Sequence, residues 1–271
     1  MSRTFLALLQ FDGTHFAGWQ RQTAERTVQG EVEQVLERLC GAPVAAHAAG
    51  RTDAGVHALG LGVSITMPAK WDAPALQRAL NALLPSECWV AAVHPMQPGF
   101  HARRSARSRR YRYQVGTDAA ARSPFRRRWE WALCRPLQYT ALCGAAEALP
   151  GEHDFTAFSV RGQLKPHYRC RVRVARWTRR PGGRGFRFEI EADRFLHHMV
   201  RLLVGTMIDI GLERRPVSDM ELLLTRSDNH ETSPPAPPEG LYFVAAEYPP
   251  ECFLAPDPVV AGSSHEAARH G

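Results

Sequence analysis

Residues 48–60 read AAGRTDAGVHALG, and within them Arg51 and Asp53 stand two apart between Gly50 and Gly55. A carboxylate set among glycines can be approached closely by a ligand backbone, because glycine adds no Cβ and turns sharply. Asp53 would therefore present a carboxylate at the mouth of a sheet, with Arg51 close enough to hold a phosphate or orient the acid. A plain Asx-turn with a surface ion pair accounts for the same residues, since Asp and Gly are ordinary turn formers. Local chemistry leaves both readings open.

Positive charge is the second chemical signal. The net charge of +7 is carried almost entirely by arginine, with lysine only at 70 and 165. Ten arginines fall between residues 103 and 128, among them Arg103, Arg109 and Arg110. A guanidinium is planar, always charged and weakly hydrated, which suits phosphate. Tyr111, Tyr113, Phe125, Trp129 and Trp131 are interleaved with them, as looped RNA binders need for stacking on unpaired bases. The pattern points to nucleic acid, although an arginine-biased solvated surface has the same composition, and it says nothing of a reaction.

Other chemistry is excluded by spacing. Neither lysine lies in a G-x-x-x-x-G-K loop, HEAARH misses the H-E-x-x-H zinc spacing by one residue, and no P-C-x-x-C accompanies an H-x-E. The cysteines at 40, 88, 134, 143, 170 and 252 include no C-x-x-C pair, so neither a zinc site nor a disulfide framework is expected, and a reducing cytoplasm is. His197 and His198 are adjacent in a helical pattern, where neighbours point in different directions. One ring in the core and one at the surface is the expectation.

The elements that must position these residues follow from periodicity. Strands are predicted over 4–11, 61–67 and 88–96, and helices over 27–39 and 76–84, the second stopped by Pro85. A similar order returns after residue 106, with strands over 111–116, 169–180, 185–192 and 240–249 and helices over 137–149, 195–211 and 217–226. Two α+β halves of similar layout, 1–106 and 107–248, suggest a duplicated unit, each half an antiparallel sheet with helices on one face. Residues 232–239 form a loop, and 249–271 are expected as a disordered tail, its composition turning to Pro, Ser, Gly, Ala and His from about 256. No apolar run is long enough for a transmembrane helix, and the N-terminus reads as a first strand rather than a signal peptide.

The segment GRTDAGVHA closely resembles the signature of the tRNA pseudouridine synthase A family. FDGTHFAGWQRQ, TVQGEVEQVL, FHARRSARSRRYRY, GEHDFTAF, FLHHMVRLLVGTM and EGLYFVAAEYP resemble the family's other blocks in the same order, covering roughly residues 4–248. The resemblance implies two similar α/β-sandwich halves sharing a central antiparallel sheet, with a basic RNA-binding cleft between them. It places Asp53 on the catalytic aspartate, Tyr111 on the tyrosine that stacks on the target base, Arg201 on the arginine that pairs with the aspartate, and Arg51 on the loop arginine that helps reposition the RNA. It further implies a cytoplasmic homodimer that isomerises uridines 38, 39 and 40 in the anticodon stem-loop of tRNA. That reaction changes no redox state and adds nothing, so no cofactor or metal is implied. Removing the C5 proton needs a base or relay, and Tyr111 is the candidate. A carboxylate glycosidase would instead need a second acid near the first, and a non-catalytic RNA-binding module would not need Asp53.

Overall fold

The computed structural model describes residues 2–160, 167–226, 228 and 230–254. The chain forms β1 (Ser2–Phe11), α1 (Val28–Cys40), β2 (His47–Ala48), β3 (His57–Pro68), α2 (Ala73–Leu83) and β4 (Cys88–Met96). It continues through β5 (Ser108–Gly116), β6 (Trp131–Ala132), α3 (Tyr139–Glu147), β7 (Gly151–Asp154), β8 (Arg169–Arg179), β9 (Phe186–Ala192), α4 (Met199–Gly211), α5 (Asp219–Leu224) and β10 (Leu241–Glu247). Capping residues set several of these limits. Thr27 and Asp72 accept backbone N–H groups at the starts of α1 and α2, and Gly41 ends α1 in the left-handed conformation.

Among the described residues all ten strands join one sheet, whose main path is β4-β1-β3-β10-β5-β9-β8-β7. Two topological repeats lie within it. β1 is antiparallel to both β3 and β4, with α1 and α2 in the connections. β5 is likewise antiparallel to β9 and β10, with α3 and α4 in the connections. The repeats meet where β10 runs parallel to β3, through Tyr242 opposite His57 and Phe243 opposite Ala58. An α+β fold of two similar units on a mainly antiparallel central sheet is thus the observed architecture.

Alternation along β5 assigns its two faces. Tyr111, Tyr113 and Val115 are buried and pair with Ile190, Phe188 and Phe186 of β9. Helix α4 is apolar nearly all round and accordingly buried; Trp177 of β8 donates its indole N–H to Met207 at 3.2 Å. On the opposite face Arg110 and Arg112 meet Glu191 and Glu189 across the strand pair.

Three expectations need revision. The helix predicted over 195–211 starts only at Met199, because His198 has φ +61° and breaks the helical path. The short strands β2, β6 and β7 are too brief to show a periodicity. Residues 249–254, expected within the tail, instead lie along the β4 edge: Gln97 N–H donates to Cys252 O and Leu254 N–H to Pro95 O. The remainder of that tail, from residue 255, lies outside the described residues. Among the described residues no helix is long and apolar enough to cross a membrane.

Gly205 of α4 faces the segment preceding β10, and a Cβ there would overlap the Pro234 carbonyl oxygen. Gly205→Ala gains at most about 1 kcal/mol of helix propensity. The overlap is with backbone, which no side-chain rotation relieves, so its cost falls toward the upper end of the usual overpacking range of about 1–3 kcal/mol. The variant is expected to melt a few degrees below the parent in calorimetry. A melting temperature equal to or above the parent's would show that this close approach is not made in solution.

Candidate active site

The loop carrying Asp53 connects β2 to β3 and is tied down by main-chain hydrogen bonds. Ala49 N–H donates to Gly62 O at 2.8 Å, Trp19 N–H to Thr52 O at 3.1 Å, and Val56 N–H to Asp53 O at 3.2 Å. Gly55 has φ +77°, where a side chain would be strained, and a Cβ on Gly50 would press on Phe243 and the Tyr111 hydroxyl. His57, directly after the loop, is buried between the rings of Trp129 and Tyr242, each 5.0 Å away. Its Nδ1 accepts from Gly13 N–H at 3.1 Å and its Nε2 lies 3.0 Å from Arg128 O. Burial lowers its pKa, so the neutral ring, with Nε2–H donating to Arg128 O, fastens the first half to the 126–129 segment.

Asp53 lies in a cleft of about 680 Å³ between the loop, β5 and the start of α4. Its Oδ2 accepts from Arg201 Nη1 at 3.0 Å, and the two side chains are only 20% and 14% exposed. Arg201 in turn donates Nε–H to Ala236 O at 2.7 Å, while Ala236 N–H donates to Arg201 O at 2.9 Å. The guanidinium is therefore fixed from both ends. Arg51, the sequence neighbour expected to orient the acid, is exposed on the rim and makes no ion pair among the described residues. The carboxylate takes its arginine from the other half.

Tyr111 lies at the bottom of the cleft. It is 7% exposed and meets Phe195 and Phe243 edge to face at 4.9 and 5.1 Å. Burial foremost, and then the Asp53 charge, push its phenol well above the ordinary tyrosine value. It stays protonated at neutral pH, which makes it a poor base by itself.

The three arginines singled out by sequence separate. Arg103 lies exposed on the cleft rim, with no carboxylate partner among the described residues. Arg109 also lines the cleft, but its guanidinium donates to the carbonyls of Ala49, Ala106, Asp193 and Arg103. It is a staple joining three segments rather than a free cation. Arg110 points to the other face of the sheet, where Nε and Nη2 both hold Glu191.

The histidine pair departs from expectation. Neither ring enters the core: His197 Nε2 stands 3.5 Å from Asp53 Oδ1, and His198 Nε2 3.4 Å from Oδ2. Their adjacency in sequence was visible, but the left-handed turn at His198 that aims both at one carboxylate was not. The donor atoms of Asp53, His197 and His198 lie within 4.8 Å of one another, a spacing a cation could share. Arg201 already occupies Oδ2, and its positive charge opposes a second cation there.

The chain matches the family model described as tRNA pseudouridine synthase over residues 7–103 and 145–249. A tRNA pseudouridine synthase A of Geobacillus kaustophilus is 38% identical over 260 residues, covering 94% of this chain and 98% of its own length. Those of Frankia casuarinae and Thermus thermophilus are 41% and 38% identical, covering 91% and 92% of this chain and 90% and 98% of their own. On this similarity along nearly its whole length, the chain belongs to the tRNA pseudouridine synthase family, whose members isomerise uridine to pseudouridine in tRNA.

Proposed function

We propose that this protein isomerises uridines 38, 39 and 40 of the tRNA anticodon stem-loop, with Asp53 as the catalytic carboxylate. The observation that carries the reading is that Asp53 is the one acidic side chain among the described residues lining the cleft, and that it is held there by Arg201 of the other half. A single carboxylate suffices for an isomerisation in which the N1–C1′ bond breaks and a C5–C1′ bond forms, whether it acts on the sugar or on the base. Hydrolysis with two acids at glycosidase spacing has no second partner here. The uridine must leave the helical stack, at a few kcal/mol, and the Tyr111 ring at the cleft floor offers the surface on which its base rests. Arg51 and Arg103 at the rim offer charge to the flanking phosphates. The positions in tRNA, the cytoplasmic location and the homodimer rest on the family motifs, and light scattering giving the mass of two chains is the check on the last.

Asp53→Asn keeps the shape and the hydrogen bond from Arg201 while removing the charge. Purified variant protein is expected to bind tRNA like the parent and to form no pseudouridine. Turnover at more than a small fraction of the parent rate would refute the role of Asp53.

Salt dependence tests the rim. Each neutralised phosphate contributes about 0.7–0.9 to the slope of log affinity against log salt. Arg103→Ala should flatten the slope by about one contact, whereas Arg110→Ala, on the opposite face of the sheet, should leave it unchanged. Equal slopes for both variants would mean that the cleft rim is not where the phosphates lie.

A further inference from the structure

Beside the cleft a second pair of imidazoles is stacked. The ring centroids of His47 and His101 lie 4.8 Å apart, and the ring planes are inclined by only 18°. The stack joins two segments far apart in sequence. One is β2, which leads into the Asp53 loop; the other is the connection from β4 to β5, which carries Arg103 and Arg104. Both arginines are exposed and line the cleft.

Main chain and ring of His101 together hold the turn that presents those arginines. Its N–H donates to Ser105 Oγ at 3.2 Å, and its carbonyl accepts from Ser105 N–H at 2.9 Å. Its ring Nδ1 accepts from Arg103 N–H at 3.2 Å. The Arg103 carbonyl in turn accepts from the Arg109 guanidinium, which also donates to Ala49 O. Ala102 N–H donates to Ser64 Oγ at 3.0 Å, and that hydroxyl donates to His47 O at 3.3 Å. The turn is thus fastened to β2 twice, by the ring stack and through Ser64.

We propose that His101 is a positioning residue for tRNA binding: its neutral ring, through the Arg103 N–H and the stack on His47, fixes the rim arginines relative to Asp53. This rests on the reading that the rim arginines meet tRNA phosphates. Long side chains on a turn already held lose less freedom when a ligand orders them.

Only the neutral ring can act in this way. A neutral imidazole accepts at one nitrogen and donates at the other, whereas an imidazolium donates at both. Protonation would set an N–H on Nδ1 against the Arg103 N–H and break that bond. The charged or titratable groups around the ring are His47 on β2 and Arg103 and Arg104 on its own turn. Burial first, then Arg104, His47 and Arg103, hold the His101 pKa below the usual histidine value. The turn is therefore held at neutral pH. Its hold weakens as pH falls below the usual histidine value and is gone below the lowered one. A histidine that met phosphate as a cation would act in the opposite direction, tightening RNA binding in acid.

The test measures the affinity of the whole protein for an unmodified tRNA transcript as pH is varied. His101→Asn keeps an acceptor near the place of Nδ1 and does not titrate. His101→Phe keeps a ring to stack on His47 and has no acceptor. Parent affinity is expected to fall about fivefold between about pH 7.5 and about pH 5.5, the worth of one net hydrogen bond. His101→Asn should match the parent within about twofold at neutral pH and lack this acid limb. His101→Phe should bind about fivefold more weakly at neutral pH, and less than additively with Arg103→Ala, because the two act through one contact. The assignment is overturned if parent and His101→Asn share one pH dependence, if acid tightens binding by the parent relative to that variant, or if His101→Phe binds like the parent. Should His101→Phe melt below the parent, the comparison of parent with His101→Asn decides alone. Arg103→Ala separates this role from the reading beneath it. If Arg103→Ala binds like the parent, both fail; if it weakens binding while His101→Phe does not, only the His101 assignment fails.

Discussion

Asp53 and Arg201 lie 148 residues apart, one in a loop of the first half and one in the first turn of α4 in the second, and they meet at 3.0 Å. That contact requires β10 to lie beside β3, α4 to enter at the correct height, and the segment before β10 to fold back over α4. The last condition is visible in the reciprocal hydrogen bonds between Arg201 and Ala236 and in the bare flank of Gly205 against Pro234. The attraction of such a pair at a partly buried site is on the order of 4 kcal/mol before desolvation is subtracted, and desolvation removes most of it. Its value to the protein is therefore geometric. It makes the placement of one half against the other a property of the candidate active site.

The same sheet divides the arginines. Adjacent residues of a strand face opposite sides, so the run Arg109-Arg110-Tyr111-Arg112 sends Arg109 and Tyr111 to the cleft and Arg110 and Arg112 to a face already supplied with Glu189 and Glu191. Further along, Arg126 is held by Asp118 and Glu130. A dense arginine segment thus contributes much less free positive charge to the cleft than its count suggests. Arg51 and Arg103 on the rim carry more of the field available to RNA than the central members of the run.

Much of this was legible in the chain itself. Long periodic segments such as 27–39 and 88–96 became α1 and β4 nearly as written, because each has a local signal at its ends: a capping Thr27, a closing Gly41, a turn before Cys88. The family motifs imply one site for Asp53, Tyr111 and Arg201, and all three line the same cleft. What could not be read depends on distant pairing or on backbone outliers. Nothing in the sequence says that Arg109 spends its donors on four carbonyls, two of them, Ala49 and Asp193, from distant segments. Nor does a histidine advertise a left-handed φ, since glycine and asparagine are the residues that normally mark it. For that reason the pair at 197–198 was expected to split between core and surface, and instead closes on Asp53.

The reaction demands a large movement, because a base must leave its stack, detach from its sugar and reattach by a different atom. The protein around Asp53 is built to move little. The loop is held at Ala49, Thr52 and Val56 by main-chain hydrogen bonds, His57 is clamped between two aromatic rings, and Arg201 is fixed at both ends of its guanidinium group. Groups positioned in advance need no reorganisation as charge develops, which is where electrostatic catalysis gains most. On the proposed role of Asp53, the conformational cost is borne by the nucleotide, as a few kcal/mol of unstacking. Fixed walls around a freed uracil and mobility in the substrate are, on that same proposed role, two sides of one requirement.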